Sequence, residues 1–118
     1  MDYLPLYRPG QTVTFAVTTA VTAGQAVEVG ATDFSVAPAA AASSKYVGVA
    51  GHAAAVGDKV TVEIGKVIHE LTATGAVTRG QRLELAAAGR VRTLAAGTAV
   101  FLALTSAADG APVKALQL

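Results

Sequence analysis

A chain of 118 residues with net charge +1 and no cysteine has room for one core, excludes disulfide and thiolate chemistry, and carries no global charge that would draw nucleic acid or an acidic membrane. Hydrophobic residues make up 53% but aromatics only 5%, with Trp absent. The core is therefore built from Val, Leu, Ile and Ala, which bury little area each at about 25 cal/mol per Å², and assembly with a partner would stabilise it.

The first ten residues, MDYLPLYRPG, have neither the basic start nor the continuous apolar run of a secretory signal. Pro5 and Pro9 fix their own φ and push the residues before them toward extended geometry. Tyrosines and leucines surround these prolines, and an extended aromatic arm is costly to expose alone. Two readings stay open: an edge strand folded onto its own barrel, or an arm that pairs with a neighbouring subunit or partner. Residues 1–9 are set apart as this arm, ahead of a single β domain over 10–118. The candidate partner-binding residues are Tyr3, Leu4, Pro5, Leu6, Tyr7, Arg8 and Pro9.

From Pro9 onward one phrase recurs. PGQTVTF (9–15), AGQAVEV (23–29), VGDKVTV (56–62) and RGQRLEL (79–85) each read Gly, then Gln or Asp, any residue, then aliphatic–polar–apolar. The glycine supplies the positive φ of a tight turn, and the period-2 alternation predicts a half-buried antiparallel strand. The match is longest between AVTAGQAVEV (20–29) and AVTRGQRLEL (76–85). Residues 20–64 and 76–118 thus read as two copies of one β-meander, about 56 residues apart. KVIHELTATG (66–75) bridges them with a strand near Val67–Leu71. A helix is plausible only as one turn in PAAAASS, starting at Pro38. The predicted class is all-β, a small antiparallel β-barrel or β-sandwich with an internal meander duplication and an extended N-terminal arm.

The longest uncharged runs, 9–27 and 93–108, are poor membrane spans. The first alternates and contains Gln11 and Gln25, while the second falls short of the roughly 18–20 residues required and is interrupted by Gly97. A soluble protein is expected.

Reactive constellations are absent from the pattern. His52 has no acidic residue nearer than Asp58, and His69 neighbours Glu70 on what would be the opposite face of a strand, so a surface or turn histidine is expected at each and a metal at neither. Glu28 and Glu84 occupy the same place in the two copies, each as a polar tooth between aliphatics, which predicts a solvated strand face rather than a carboxylate pair. Ser43 and Ser44 lack a nucleophile-elbow context, and the single glycines never form a phosphate-cradling loop. Arg79, Arg82, Arg90 and Arg92 could make a basic face, but Glu84 on the same hairpin suggests a cross-strand ion-pair ladder. An interface role for them stays open. Lys45, Lys59 and Lys66 do not sit at the hairpin tip of a lipoyl or biotinyl carrier. The expectation is no enzyme, no cofactor and no metal.

The opening YLPLYRPG, the phrase VTFAVTTAVTAGQAVEV, the middle VAPAAAASSKYVGVAGHAAAVGDKVTVEIGKVIHELTATGAVTRGQRLE and the closing RVRTLAAGTAVFLALTSAA resemble the small capsid decoration, or cement, proteins of tailed phages of actinobacteria. The resemblance covers essentially the whole chain. It implies a β-rich protein on the outer surface of the head, partnered by the major capsid protein, gathered as a homotrimer and anchored by its N-terminal segment. It brings no nucleic-acid or membrane partner and no catalytic residue. The competing expectation is another virion or surface β-module, of tail, fibre or adhesin type, that binds a glycan or a host protein.

Overall fold

The alternating phrases fold as ten short strands in the computed structural model, which describes residues 11–118. Strands β1 (Thr12–Val17), β2 (Ala26–Val29), β3 (Ser35–Pro38), β4 (Tyr46–Ala50) and β5 (Lys59–Glu63) close into a barrel in the order β1-β3-β2-β4-β5. Val17, Val27, Val36, Val60 and Val62 fill it, as the period-2 spacing requires. Strands β6 (Ile68–Thr72), β7 (Arg82–Leu85), β8 (Val91–Thr93), β9 (Phe101–Ala103) and β10 (Pro112–Gln117) form a second sheet ordered β6-β10-β9-β7-β8.

The second sheet repeats the wiring of the barrel. β1 runs antiparallel to β5 as β6 does to β10, and β2 pairs with β3 and β4 as β7 pairs with β8 and β9. β1 also runs parallel to β3 through Ala16–Ser35 and Val17–Val36. The single parallel bridge Ala73–Val91 brings β6 and β8 together at the same place. The repeat is therefore longer than the meander read from the sequence. The bridging segment supplies β6, the counterpart of β1, one residue later than expected. No residue is shared between TVTFAV and its counterpart IHELTA, so this part of the repeat survives only as topology.

The repeated AVT.GQ phrase has a mechanical meaning. Gly24 and Gly80 take φ of +76° and +88°, a region that glycine enters without a Cβ penalty. The following glutamine folds back, so that Gln25 Oε1 accepts the Thr22 amide at 3.0 Å and Gln81 Oε1 accepts the Thr78 amide at 2.8 Å. Each turn is thereby closed by its own side chain before the strand begins.

The two units are joined by packing as well as by chain. Leu71, Leu83, Leu85, Phe101 and Val113 of the second unit share one apolar cluster with Ala26, Ala39 and Val49 of the first. The turn after β7 approaches β2 so closely that a Cβ on Gly89 would lie 2.9 Å from the Ala26 nitrogen. Gln25 Nε2 donates to the Ala88 carbonyl at 3.3 Å across this seam.

The alanine tract forms no helical turn. Pro38 ends β3, the Ala40 amide is taken by Glu28 Oε1 at 2.7 Å, and the Ala42 amide by the Leu85 carbonyl at 2.9 Å. The short 3-10 turn lies instead at Ala87–Gly89. Among the described residues no helix is long and apolar enough to cross a membrane.

Candidate functional site

The candidate partner-binding residues Tyr3, Leu4, Pro5, Leu6, Tyr7, Arg8 and Pro9 lie outside the described residues. Gln11, the first described residue, lies beside the linker between the two units, where its carbonyl accepts the Ile64 amide at 2.7 Å.

Glu28 and Glu84 are not solvated teeth. Glu84 is completely buried, its Oε1 accepts the Ala95 amide, and its Oε2 accepts Arg92 Nη2 at 3.1 Å. The Ala95 amide holds this carboxyl below its ordinary range; burial opposes the shift, and Arg92 with the Gly97 amide reinforces it. Burial pushes the Glu28 carboxyl up, but the Ala40 amide, the Ser43 and Lys45 side chains and the Lys45 charge outweigh it, and the net shift is downward. Lys45 Nζ lies 3.3 Å from Glu28 Oε2. In both units this glutamate ties the connection that follows the third strand. Strand alternation reports which face a residue is on, and says nothing of a loop folded back over that face.

Of the four arginines, Arg92 pairs with Glu84, as its cross-strand register predicts. Arg79, Arg82 and Arg90 form no ion pair among the described residues. The ladder has a single rung.

His52 is exposed on the turn after β4, where its Nε2 accepts the Thr61 amide at 3.2 Å. His69 departs from the surface expectation. It is half-buried, its ring stands edge-on to Phe101 with centroids 6.2 Å apart, and its Nε2 meets Gln117 Oε1 at 3.2 Å. The same Gln117 oxygen accepts the Tyr46 hydroxyl at 2.6 Å, while Gln117 Nε2 donates to the Gly65 carbonyl at 2.7 Å. One buried amide thus ties β4, β6, β10 and the linker. Burial pushes the Tyr46 phenol strongly up. Burial also lowers the His69 pKa, against the opposing pull of Gln117 and Glu63. No group of three His, Cys, Asp or Glu able to hold a metal occurs among the described residues.

Surface features remain. A polar groove of about 320 Å³ runs along the seam between the units, lined in part by Thr22, Gln25, Thr72 and Arg90. The outer face of the second sheet carries an apolar row beside exposed charges, Arg82 on β7 and the facing residues Lys114 and Glu70 on β10 and β6. Leu102, Leu116 and Ile68 sit side by side across β9, β10 and β6, with Leu104 and Leu118 on neighbouring rows. Ile68 is 62% exposed. The sequence carries a signal for this row: in VKALQL the apolar residues fall on both faces, which a half-solvated strand does not need.

The sequence matches the phage cement protein family over residues 7–117. The chain belongs to the phage cement protein family. As a cement protein it is a structural protein of the phage head and lies on the capsid surface. Its fold is similar to that of the N base of the head fibre gp8.5 in bacteriophage phi29, with a TM-score of 0.71, 19% sequence identity, and coverage of 91% of this chain and 92% of that chain. A search of curated proteins finds no match.

Proposed function

We propose that this cement protein binds the outer surface of a tailed-phage head, stabilises contacts between major capsid subunits without catalysis, and does so as a homotrimer anchored by Tyr3–Pro9. The observation that carries the reading is the family match over 7–117 on a scaffold that spends its buried and half-buried polar side chains on its own structure. Glu28, Glu84, His69 and Gln117 all tie strands and connections together. Rigid strands and a short extended anchor suit a protein whose binding accumulates over many identical copies.

The test is co-sedimentation of the purified protein with expanded heads that lack it. Saturable binding at a fixed ratio to the major capsid protein, with heads made more heat-resistant, is expected. Absence of binding to intact heads sinks the reading and favours a tail or fibre role. Deleting residues 2–9 is expected to leave thermal unfolding unchanged and to abolish head binding; a truncated protein that unfolds would instead make the arm part of the barrel.

A further inference from the structure

The turn before β2 and its copy before β7 are finished differently. In the second unit the Arg79 amide donates to Ser106 Oγ at 3.1 Å. AVTAGQ and AVTRGQ align Ala23 with Arg79, and the bridges Val21–Ala54 and Val77–Ala107 align Ala53 with Ser106. Alanine brings no hydroxyl, and the Ala23 amide takes no partner among the described residues. The first unit keeps an open donor where the second has capped its own.

Ala23 lines the polar groove at the seam, together with Thr72 of β6 and with Arg90, which follows the turn between β7 and β8. Arg90 is exposed and forms no ion pair among the described residues, and no Asp or Glu lines the groove. Gln25 is already committed: its Oε1 accepts the Thr22 amide at 3.0 Å, and its Nε2 donates to the Ala88 carbonyl at 3.3 Å. The groups left for a ligand are donors, namely a guanidinium, a main-chain N–H and the Thr72 hydroxyl. With a volume of about 320 Å³, the groove falls within the range of about 300–1,000 Å³ that ligand clefts occupy.

A guanidinium presents a fixed fork of N–H donors that matches a carboxylate, whereas a single amide N–H suits one neutral carbonyl oxygen. We infer that the groove binds an acidic residue of a partner polypeptide. The carboxylate sits on Arg90, and a main-chain carbonyl of the same segment takes the Ala23 amide, in the role that Ser106 Oγ fills in the second unit. One acidic residue in a peptide supplies both acceptors. A free carboxylate would meet the fork alone, and a neutral glycan would find no aromatic residue in the lining. The site stands whether or not the head-binding reading does.

The probe is acetyl-Ala-Glu-Ala amide, titrated into the full chain and followed by the backbone amide resonances. Saturable shifts are expected at Ala23, Thr72 and Arg90 but not at Arg79 or Arg82. The same peptide with Gln in place of Glu should bind about tenfold more weakly, and acetate should also bind more weakly than the Glu peptide. Arg90→Gln should abolish the preference for Glu over Gln. Ala53→Ser, which supplies the cap found in the second unit, should weaken both peptides about threefold and leave that preference in place. Both positions are exposed, and retained amide dispersion checks that each variant folds. Equal shifts with sodium chloride, a preference that survives Arg90→Gln, or affinity unchanged by Ala53→Ser would each overturn the site. Acetate that binds as tightly as the Glu peptide would overturn its assignment to a polypeptide.

Discussion

Glu84 and Glu28 show how one residue type serves the same mechanical end in both units. Each accepts a backbone amide from the connection after the third strand and carries a basic partner, Arg92 or Lys45. Replacing Glu84 by Gln keeps the shape but removes the charge facing Arg92, and should loosen residues 94–97, read as faster amide exchange there with the rest of the sheet protected. The pH dependence follows from the same groups. His69 has its folded pKa lowered from an ordinary 6.5, so the unfolded chain binds its proton more readily and stability falls as pH drops below about 6.5. Both glutamates are lowered from an ordinary 4.5, so their contribution is complete above that value and is lost as pH falls further. Tyr46 is raised from 10.0, which keeps its contribution intact below about 10 and withdraws it in stronger alkali. Urea midpoints across pH should therefore form a plateau between about 7 and 10 with a two-stage acid decline. His69→Gln should flatten the first stage only. A decline that is unchanged in that variant would assign the first stage to another group.

At the level of strands, the two units solve one packing problem with opposite residues. Register makes Gly48 of β4 the counterpart of Phe101 of β9, since Val27 faces the first as Leu83 faces the second. Phe101 is fully buried, with Tyr46 edge-on at 5.2 Å and His69 on another side. At Gly48 a Cβ would collide with the Glu63 carbonyl and come within 2.8 Å of Val62 Cγ1, so the missing side chain lets β5 approach and the barrel close. Phe101→Ala should cost about 3–5 kcal/mol by cavity formation, and Gly48→Ala about 1–3 kcal/mol by overpacking. Gly24→Ala meets open space and should cost only the left-handed strain, about 1–2 kcal/mol. Guanidinium unfolding of the three variants tests that order. This contrast also marks what was legible beforehand. The strands and turns follow from Gly-Gln and period-2 spacing, so the all-β class and the 56-residue repeat could be read from residues 20–29 and 76–85. β6 as the counterpart of β1 could not, because the two share no residue in register and only the pairing with β10 and β5 reveals the equivalence. Nor could the burial of Glu84 or of His69, which depends on loops and strands brought from far along the chain. The exposed apolar row across β6, β10 and β9 is visible in VKALQL but reads as core until the sheet shows which side is already filled.

Over the whole molecule, the two units are unequally self-sufficient. The barrel has its own cluster, drawn entirely from residues 17–62. The second unit's cluster is completed by Ala26, Ala39, Val49 and Tyr46 from the first, and its C-terminal strand is held by the Tyr46–Gln117 hydrogen bond. A sheet of about 50 residues sits at the lower edge of what one core can stabilise, and removing one wall of that core leaves too little buried apolar area to offset chain entropy. Separation of the units at Gly65 should therefore be asymmetric. A fragment of residues 1–65 should give a strand-type circular dichroism spectrum and a cooperative melt, at a lower midpoint than the intact chain because Ala26 and Val49 become exposed. A fragment of residues 66–118 should be unfolded alone and should gain protected amides when the first fragment is added, since the missing wall is then restored in trans. The intact chain should melt in one transition with agreeing calorimetric and van't Hoff enthalpies, because its larger cluster is lost as soon as either unit opens. Two resolved transitions, or a second fragment that folds unaided, would show that the seam at Gly89 and Ala26 is a contact between independent domains rather than a shared core.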